Sequence, residues 1–160
     1  MPGVFRHIKM IDSLMVTEVQ DYIRAHENDD VQKLLLKHKT ILGIPTSVIA
    51  DQITARKKAR YKLPEYYRTP GIVYPPSVSL EQCSSEATAR FKSDLIGQTV
   101  PARGADLTGG FGVDAYYLSQ RVEHLDYIEP DSALCEIAKH NHLLLGARNI
   151  SYHCNSSDEF

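Results

Sequence analysis

Three glycines stand between two aspartates in the segment ADLTGGFGVDAYY, residues 105–117. A glycine-rich turn after a strand lets a ligand approach the backbone. The helix that follows offers unpaired N–H groups and a positive dipole at its N-terminus. The letters from Gly110 to Ala115 also satisfy the dinucleotide fingerprint. The glycines alone leave three interpretations open: a phosphate cradle, a cradle for a positively charged ligand, or a tight turn whose acids only cap a helix.

The aspartates favour a positively charged ligand. Asp106 at the strand tip and Asp114 inside the loop would both repel a pyrophosphate. S-adenosylmethionine instead presents an α-ammonium and a sulfonium, and its carboxylate can still use the N–H groups of the loop. Glu129 closes the next strand, where a carboxylate can accept both hydroxyls of the ribose of either ligand. Asn155 follows the third strand and can hydrogen-bond an adenine edge, although asparagine is also an ordinary turn residue.

Helical periodicity dominates the chain before this loop. Helices are predicted from Asp12 in DSLMVTEVQDYIRAHENDD, where the polar cluster ENDD breaks the pattern, at VQKLLLKHK, at PTSVIADQITARKKARYKLP up to Pro64, and at SLEQCSSEATARFKSDLIG. The segment EYYRTPGIVYPPSVS between the last two is predicted to be irregular. The positions expected to be buried in the second and fourth helices are Val31, Leu34, Leu35, Leu36, Leu80, Cys83, Ala87, Phe91 and Ile96.

The period changes after Gly97 to strand, helix, strand, helix, strand, which opens a parallel doubly wound sheet. The predicted fold class is therefore α/β, with a helical N-terminal domain over residues 1–97. Residues 98–160 form the first half of a Rossmann-like domain of about three strands. Because a complete sheet of this type has two such halves, the sequence is expected to be a fragment of a longer protein.

Composition excludes little. The 160 residues are 42% hydrophobic, and 18 basic against 20 acidic residues give no general argument for nucleic acid or membrane. No apolar run approaches the length of a membrane span. Cys83, Cys135 and Cys154 are odd in number and far apart, which predicts reduced thiols and a cytoplasmic location; Cys154 is expected to be a buried apolar residue. His140 and His142 do not share a helix face, and no metal site is predicted.

With these motifs in place, the chain resembles a class I S-adenosylmethionine-dependent methyltransferase. More narrowly, LEQCSSEATARFK followed by ADLTGGFGVDAYYLS is similar to bacterial methyltransferase-like proteins that carry a THUMP-like domain, a group similar to trimethylguanosine synthases. The resemblance covers roughly residues 55–160. It implies S-adenosylmethionine as cofactor.

The resemblance also assigns roles by position. A methionine-binding loop would include Asp106, Thr108, Gly110 and Gly112, and Glu129 would hold the ribose. The helix before the loop would close over the cofactor, which makes Gln82, Ser85 and Thr88 lid or substrate-channel residues. The full set of expected cofactor-binding residues is Asp106, Thr108, Gly109, Gly110, Gly112, Asp114, Glu129 and Asn155.

The family's catalytic Asp/Asn-Pro-Pro-aromatic motif follows a fourth strand, which would lie beyond Phe160. Methyl transfer depends mainly on holding the nucleophile in line with the methyl group. The 160-residue chain is therefore expected to be inactive and to bind cofactor weakly. A half sheet also leaves an unpaired edge, which predicts self-association.

The run ARKKARYK places Arg56, Lys57, Lys58, Arg60 and Lys62 within seven residues. Cations with interleaved tyrosines suit a phosphate backbone and stackable bases, so RNA is the expected substrate. A solvated, dipole-complementing helix end explains the same run without a ligand.

Two other functions stay open: a dinucleotide-dependent oxidoreductase, and a non-catalytic RNA-binding or interaction module with a methyltransferase-like fold.

Overall fold

Residues 10–97 and 99–159 are described by a computed structural model. They form helices that precede and flank a three-stranded parallel sheet, which confirms the predicted α/β fold. Gln98, where the second predicted domain begins, lies outside the described residues. The helices are α1 Thr17–Ala25, α2 Val31–Lys37, α3 Thr46–Lys62, α4 Pro64–Arg68, α5 Ser77–Gln82, α6 Glu86–Asp94, α7 Val113–Ser119 and α8 Ser132–Leu144; the strands are β1 Thr40–Ile41, β2 Ile44–Pro45, β3 Arg103–Asp106, β4 His124–Ile128 and β5 Ile150–His153.

The central helix of the N-terminal part is α3, which begins after Pro45 and was predicted correctly. Its residues Ile49, Ile53 and Ala59 are fully buried. Ile49 and Ile53 are four residues apart and so lie on one face, whereas Ala59 is buried on an adjacent face, because α3 is covered on more than one side. The basic residues collect in its last turns, where they also complement the helix dipole.

Several predicted helix details are wrong. Residues 10–14 are already helical, and the chain breaks at Met15 and Val16 before α1, so Asp12 does not begin a single long helix. In α2 only Leu34 is buried, while Leu35 and Leu36 are exposed. Periodicity located these helices but could not show that a short helix has only one covered face.

Most of α4 lies in the segment predicted to be irregular; the helix starts at Pro64, just before that segment, because proline suits the first helical position. The following predicted helix is two helices, α5 and α6, separated at Cys83 and restarted by the cap Ser85. Ala87 and Phe91 are exposed rather than buried, because the restarted helix buries Ala89 and Ser93 instead. A hairpin of β1 and β2, which the sequence did not reveal, turns through Leu42 and Gly43; both have positive φ, as in a type I′ turn.

The parallel sheet has the order β3-β4-β5. Asp106 at the end of β3 pairs with Tyr127, and Ile128 at the end of β4 pairs with His153 at the end of β5. The carboxyl ends of all three strands therefore meet at one edge. This edge receives the glycine loop, Glu129 and the segment that begins at Cys154.

One hydrophobic cluster takes residues from both sides of position 97. The ring of Tyr66 in α4 lies 5.3 Å from that of Phe111 and 6.0 Å from that of Tyr116. Glu65 accepts hydrogen bonds from the hydroxyls of Tyr116, at 2.8 Å, and Tyr117, at 2.7 Å. The helical part thus packs directly on α7. The division into two domains stays a prediction.

The cysteine prediction is wrong for two of the three residues. Cys135 in α8 and Cys154 after β5 form a disulfide, with Cα atoms 6.0 Å apart, and only Cys83 is a free thiol among the described residues. Cys154 is also exposed instead of buried. The sequence separation of 19 residues hid the pair, because α8 and β5 bring together positions that have no local spacing signal.

Candidate functional site

The glycine loop connects β3 to α7 and is held by backbone hydrogen bonds. The N–H of Gly109 donates to the carbonyl of Ile128 at 2.8 Å, and the N–H of Gly112 donates to that of Gly109 at 2.8 Å. The hydroxyl of Tyr127 donates to the carbonyl of Gly110 at 2.6 Å. The loop therefore has a fixed shape, anchored to the neighbouring strand β4.

Two glycines are required by close approach. A Cβ on Gly109 would lie 2.3 Å from the ring of Tyr127, which no rearrangement of a flexible side-chain end relieves. A Cβ on Gly112 would lie 2.6 Å from Nε2 of His142, and Gly112 also has a φ of +84°. These glycines have packing reasons that hold with or without a ligand.

His142 supports the loop from behind and was not predicted as a site residue. It is fully buried in α8, with Nε2 2.8 Å from the carbonyl oxygen of Gly112 and Nδ1 2.9 Å from the hydroxyl of Tyr152. Because a carbonyl only accepts, Nε2 carries the proton and Nδ1 accepts from Tyr152. Burial lowers the pKa of His142 to about 4, so the ring is neutral. No sequence signal marked this contact, which joins residues 30 positions apart.

Asp106 and Glu129 lie at the sheet edge as predicted, and both already accept backbone N–H groups. Oδ1 of Asp106 accepts from Thr108 at 3.1 Å, and burial raises the pKa of Asp106. Glu129 accepts from Gly110 through Oε2 at 2.7 Å and from Asp131 through Oε1 at 2.8 Å. An ionised carboxylate has about four acceptor positions, so Glu129 keeps capacity for further donors.

Asp114 is engaged by a cation that the sequence analysis did not include. Its Oδ2 accepts from Oγ of Ser84 at 2.9 Å and from Nζ of Lys92 in α6 at 2.8 Å. Its Oδ1 is buried and has no hydrogen-bond partner among the described residues. Lys92 offsets part of the negative charge of Asp114, which weakens the expected repulsion of a pyrophosphate. The buried Oδ1 of Asp114 still lacks a hydrogen-bond donor among the described residues.

The glycine loop, Asp114 and Glu129 share a cavity of about 360 Å³. One wall is the glycine loop with Thr108, Asp114 and Glu129, and the facing wall comes from α5, the residues after it, and Lys92. Of the three predicted lid residues, Gln82 lines the cavity. Ser85 and Thr88 do not; Ser85 caps α6 by accepting the N–H of Thr88 at 3.1 Å. Lining residues that the sequence analysis did not predict for the site are Ser79, Cys83, Ser84, Lys92, Phe111, Val113 and Leu134.

Two predicted cofactor residues stand outside the cavity wall. Asp106 is buried below the loop, and Asn155 lies beyond the end of β5. Oδ1 of Asn155 is buried and has no partner among the described residues. An unmatched buried acceptor is costly, so Asn155 is a position at which a donor would be stabilising.

The predicted RNA-binding cations make contacts within the chain. Nε of Arg56 donates to Glu27 at 2.9 Å, Nζ of Lys57 to the carbonyl of Asp29 at 3.1 Å, and Nζ of Lys58 to Glu81 at 2.6 Å. Lys58 is exposed and Lys57 is half-buried. The ion pair of Arg56 is largely buried, with 15% of the Arg56 side chain exposed.

Within the part of the chain that the structure describes, no group of three or more histidines, cysteines or acids is placed to hold a metal. In the same residues no helix is long and apolar enough to cross a bilayer.

Comparison with known proteins supports a methyltransferase-like fold. The chain is similar to a crystal structure described as a "putative methyltransferase from Porphyromonas gingivalis W83", with a TM-score of 0.77 and 25% sequence identity. The match covers 92% of this chain but only 36% of that one, so the chain spans about a third of that protein's length. No family model and no curated protein matches the sequence.

Proposed function

We propose that the glycine-loop cavity binds S-adenosylmethionine and that the chain supplies the cofactor-binding part of a class I methyltransferase. One observation carries the proposal: the glycine loop, Asp114 and Glu129 line a single cavity at the carboxyl edge of a parallel sheet. Ligands of open α/β sheets bind outside this edge. The similarity of the fold to the structure described as a "putative methyltransferase" supports this class of chemistry for the cavity.

The residues of the cavity fit this cofactor. The buried Oδ1 of Asp114 lacks a donor, which the α-ammonium would supply. Nζ of Lys92 lies 2.8 Å from Oδ2 of Asp114 and offers a cation for the α-carboxylate of the cofactor. Glu129 has acceptor capacity left for the ribose hydroxyls, and the lack of side chains on the glycines lets the ligand approach the backbone.

When bound, S-adenosylmethionine supplies a methyl group on a sulfonium for transfer to a nucleophile. The role of this chain would be to bind and orient that group. Asp114 and Lys92 would fix the methionine end and Glu129 the ribose. Asn155 would meet the adenine edge only where the ligand extends past the cavity wall towards the end of β5. The rigid loop, braced by Tyr127 and His142, would keep these contacts in register.

Calorimetry with S-adenosylhomocysteine and with NAD tests the cofactor class. Asp114→Asn removes a charge while keeping the size of the side chain, and a charged hydrogen bond contributes about 1.5–3 kcal/mol. We expect Asp114→Asn to weaken S-adenosylhomocysteine binding by about tenfold. Asp51→Asn, at an exposed position of α3, is the matched control and should leave it unchanged. Binding of NAD in preference to S-adenosylhomocysteine would favour the oxidoreductase instead.

We further infer RNA as the methyl acceptor, on the basis of the end of α3. The guanidinium of Arg60 lies 5.9 Å from the ring centre of Tyr61, and Tyr61 is 83% exposed. An exposed aromatic ring beside cations is suited to base stacking and phosphate contact. Lys57 donates only to a backbone carbonyl and keeps its full charge, whereas the charge of Lys58 is partly offset by Glu81.

Filter binding of an RNA oligonucleotide to the chain, at several salt concentrations, tests this surface. Lys57→Glu with Lys58→Glu should weaken binding and reduce the salt dependence, because each lost phosphate contact lowers the slope by about 1. Lys33→Glu with Lys37→Glu, at exposed positions of α2, controls for overall charge. Unchanged RNA affinity and unchanged salt dependence in the Lys57→Glu, Lys58→Glu variant would show that the basic residues of α3 do not bind RNA. That result would not affect the cofactor proposal, because calorimetry with S-adenosylhomocysteine is done without RNA.

A further inference from the structure

A second cavity, of about 320 Å³, lies between α1, α3, α4 and α8. It shares no lining residue with the glycine-loop cavity. Arginines from three different helices line it: Arg24 from α1, Arg56 from α3 and Arg68 from α4. Residues far apart in the sequence thus bring three guanidinium groups to one concave surface.

Arg56 forms a fixed part of this surface. Its Nε donates to Oε2 of Glu27 at 2.9 Å, and its guanidinium lies 4.3 Å from the ring centre of Tyr67. Tyr67 in turn donates to Oε1 of Glu27 at 2.9 Å. The bond to Glu27 uses one of five donors of the guanidinium. Its orientation is therefore set before a ligand arrives, which lowers the entropic cost of binding.

The other two arginines are exposed at the cavity. Arg68 makes no ion pair or side-chain hydrogen bond among the described residues, and Arg24 pairs with Asp21 at 2.8 Å on the surface of α1. Among the described acids, only Asp21 lines the cavity, and Glu27 lies against Arg56. The three arginines and these two acids leave a net charge of +1, concentrated on groups that can still move towards an anion.

The remaining wall is partly apolar. Met15, Tyr67 and Leu144 contribute to it, and His140 is held with Nε2 2.8 Å from the carbonyl oxygen of Gly71. The volume falls in the range of small-molecule sites. Guanidinium groups match phosphate oxygens in a planar, bidentate manner, and an adjacent apolar wall can cover a base or sugar.

We propose that this cavity binds a phosphate group carried by a nucleotide, either a free mononucleotide or a nucleotide within an RNA strand. Arg24, Arg56 and Arg68 contact the phosphate. The wall of Met15, Tyr67 and Leu144 covers the attached nucleoside. The site is separate from the cofactor cavity and does not depend on it.

The test uses the 160-residue chain and three probes: inorganic phosphate, uridine 5′-monophosphate, and an RNA tetramer without terminal phosphates. Binding is followed by calorimetry in wild type and in the Arg24→Ala, Arg68→Ala double variant. Neither replacement removes a buried contact, so the fold should persist. Arg121→Ala with Arg148→Ala is the matched control, because Arg121 pairs with Asp94 at the surface and Arg148 is exposed.

We expect the double variant to weaken binding of at least one probe by about tenfold or more, and the control by less than about twofold, since each charged hydrogen bond is strong. Uridine monophosphate bound more tightly than inorganic phosphate would identify a mononucleotide site. Preferential binding of the tetramer would identify a phosphodiester site. Failure of all three probes to bind, or equal losses in the double variant and its control, would overturn the proposal. S-adenosylhomocysteine binding should be the same in all three proteins.

Discussion

At the scale of single residues, the acids around the glycine loop are held by partners from distant parts of the chain. Asp106, Asp114 and Glu129 lie around the glycine loop, as the spacing indicated. The partners of Asp114 come from Ser84 and Lys92, which are 30 and 22 residues earlier in the chain. A carboxylate's charge can be read from sequence, whereas its neutralisation depends on the packing of α6 against α7.

His142 shows the same limit from the other side. His140 and His142 are two residues apart and lie on different faces of α8, so their spacing predicted no metal site and no other role for His142. Its role follows from burial beneath Gly112, which no spacing rule encodes. The glycine that makes room for His142 was recognised, but the reason for that glycine was not.

Burial of His142 predicts a pH-dependent stability. The pKa is lowered in the folded protein to about 4 from an unfolded value of 6.5, so the unfolded chain binds the proton first. The free energy of unfolding should therefore fall as the pH falls from about 6.5 towards about 4, by up to about 3 kcal/mol. Above about pH 6.5 this contribution is fully present.

Urea denaturation between about pH 7 and about pH 4.5 measures this slope. His142→Gln can still donate to Gly112 but does not titrate, so its stability should depend less steeply on pH than that of wild type. His38→Gln, at an exposed position, is the control. Equal slopes in His142→Gln and wild type would show that His142 does not contribute.

At the scale of elements, strand and helix order was predictable and their boundaries were not. The alternation of strand and helix after Gly97 identified β3, α7, β4, α8 and β5, because parallel sheets with crossover helices produce that pattern. The break between α5 and α6 was missed, since the apolar spacing runs through Cys83 to Phe91 without interruption. Only the packed structure shows that Ser85 restarts a helix and that Phe91 is exposed.

The disulfide joins α8 to the segment after β5. Cys135 in α8 and Cys154 after β5 are 19 positions apart in the sequence. A disulfide that closes a loop of this length lowers the entropy of the unfolded chain and so stabilises the folded state by about 3 kcal/mol. Reduction, or the Cys135→Ser, Cys154→Ser double variant, should therefore lower the midpoint of thermal unfolding. Cys83→Ser removes the remaining described thiol and serves as control.

Calorimetric scans with and without a reductant provide the measurement. We expect the reductant to lower the melting temperature of wild type and of Cys83→Ser, but not that of the double variant. A melting temperature of wild type that does not respond to reductant, together with two titratable thiols at these positions, would show that the bridge is absent in solution.

At the scale of the whole molecule, the fold class was predictable because hydrophobic period and chain order determine it. The packing between the helical part and the sheet was not. Tyr66 and Glu65 of α4 contact Phe111, Tyr116 and Tyr117, which form part of the loop and helix next to the site. The N-terminal helices therefore support the loop and share one hydrophobic cluster with it and with α7.

The sheet has the order β3-β4-β5, so β3 and β5 are each paired on one side only among the described residues. Exposed apolar side chains include Leu36, Phe91 and Leu95. Both features are consistent with self-association, which stays a prediction.

The cytoplasmic location stays a prediction as well.

The most direct test of the central claim is a titration of the ¹⁵N-labelled chain with S-adenosylhomocysteine, followed by nuclear magnetic resonance. We predict that the amide signals of Gly109, Gly110, Gly112 and Glu129 shift progressively, with weak binding near about 1 mM, equivalent to about −4 kcal/mol. The signals of α1 should not move, and NAD should produce smaller shifts at the same concentrations. Absence of shifts at the glycine loop, or larger shifts with NAD, would contradict the account.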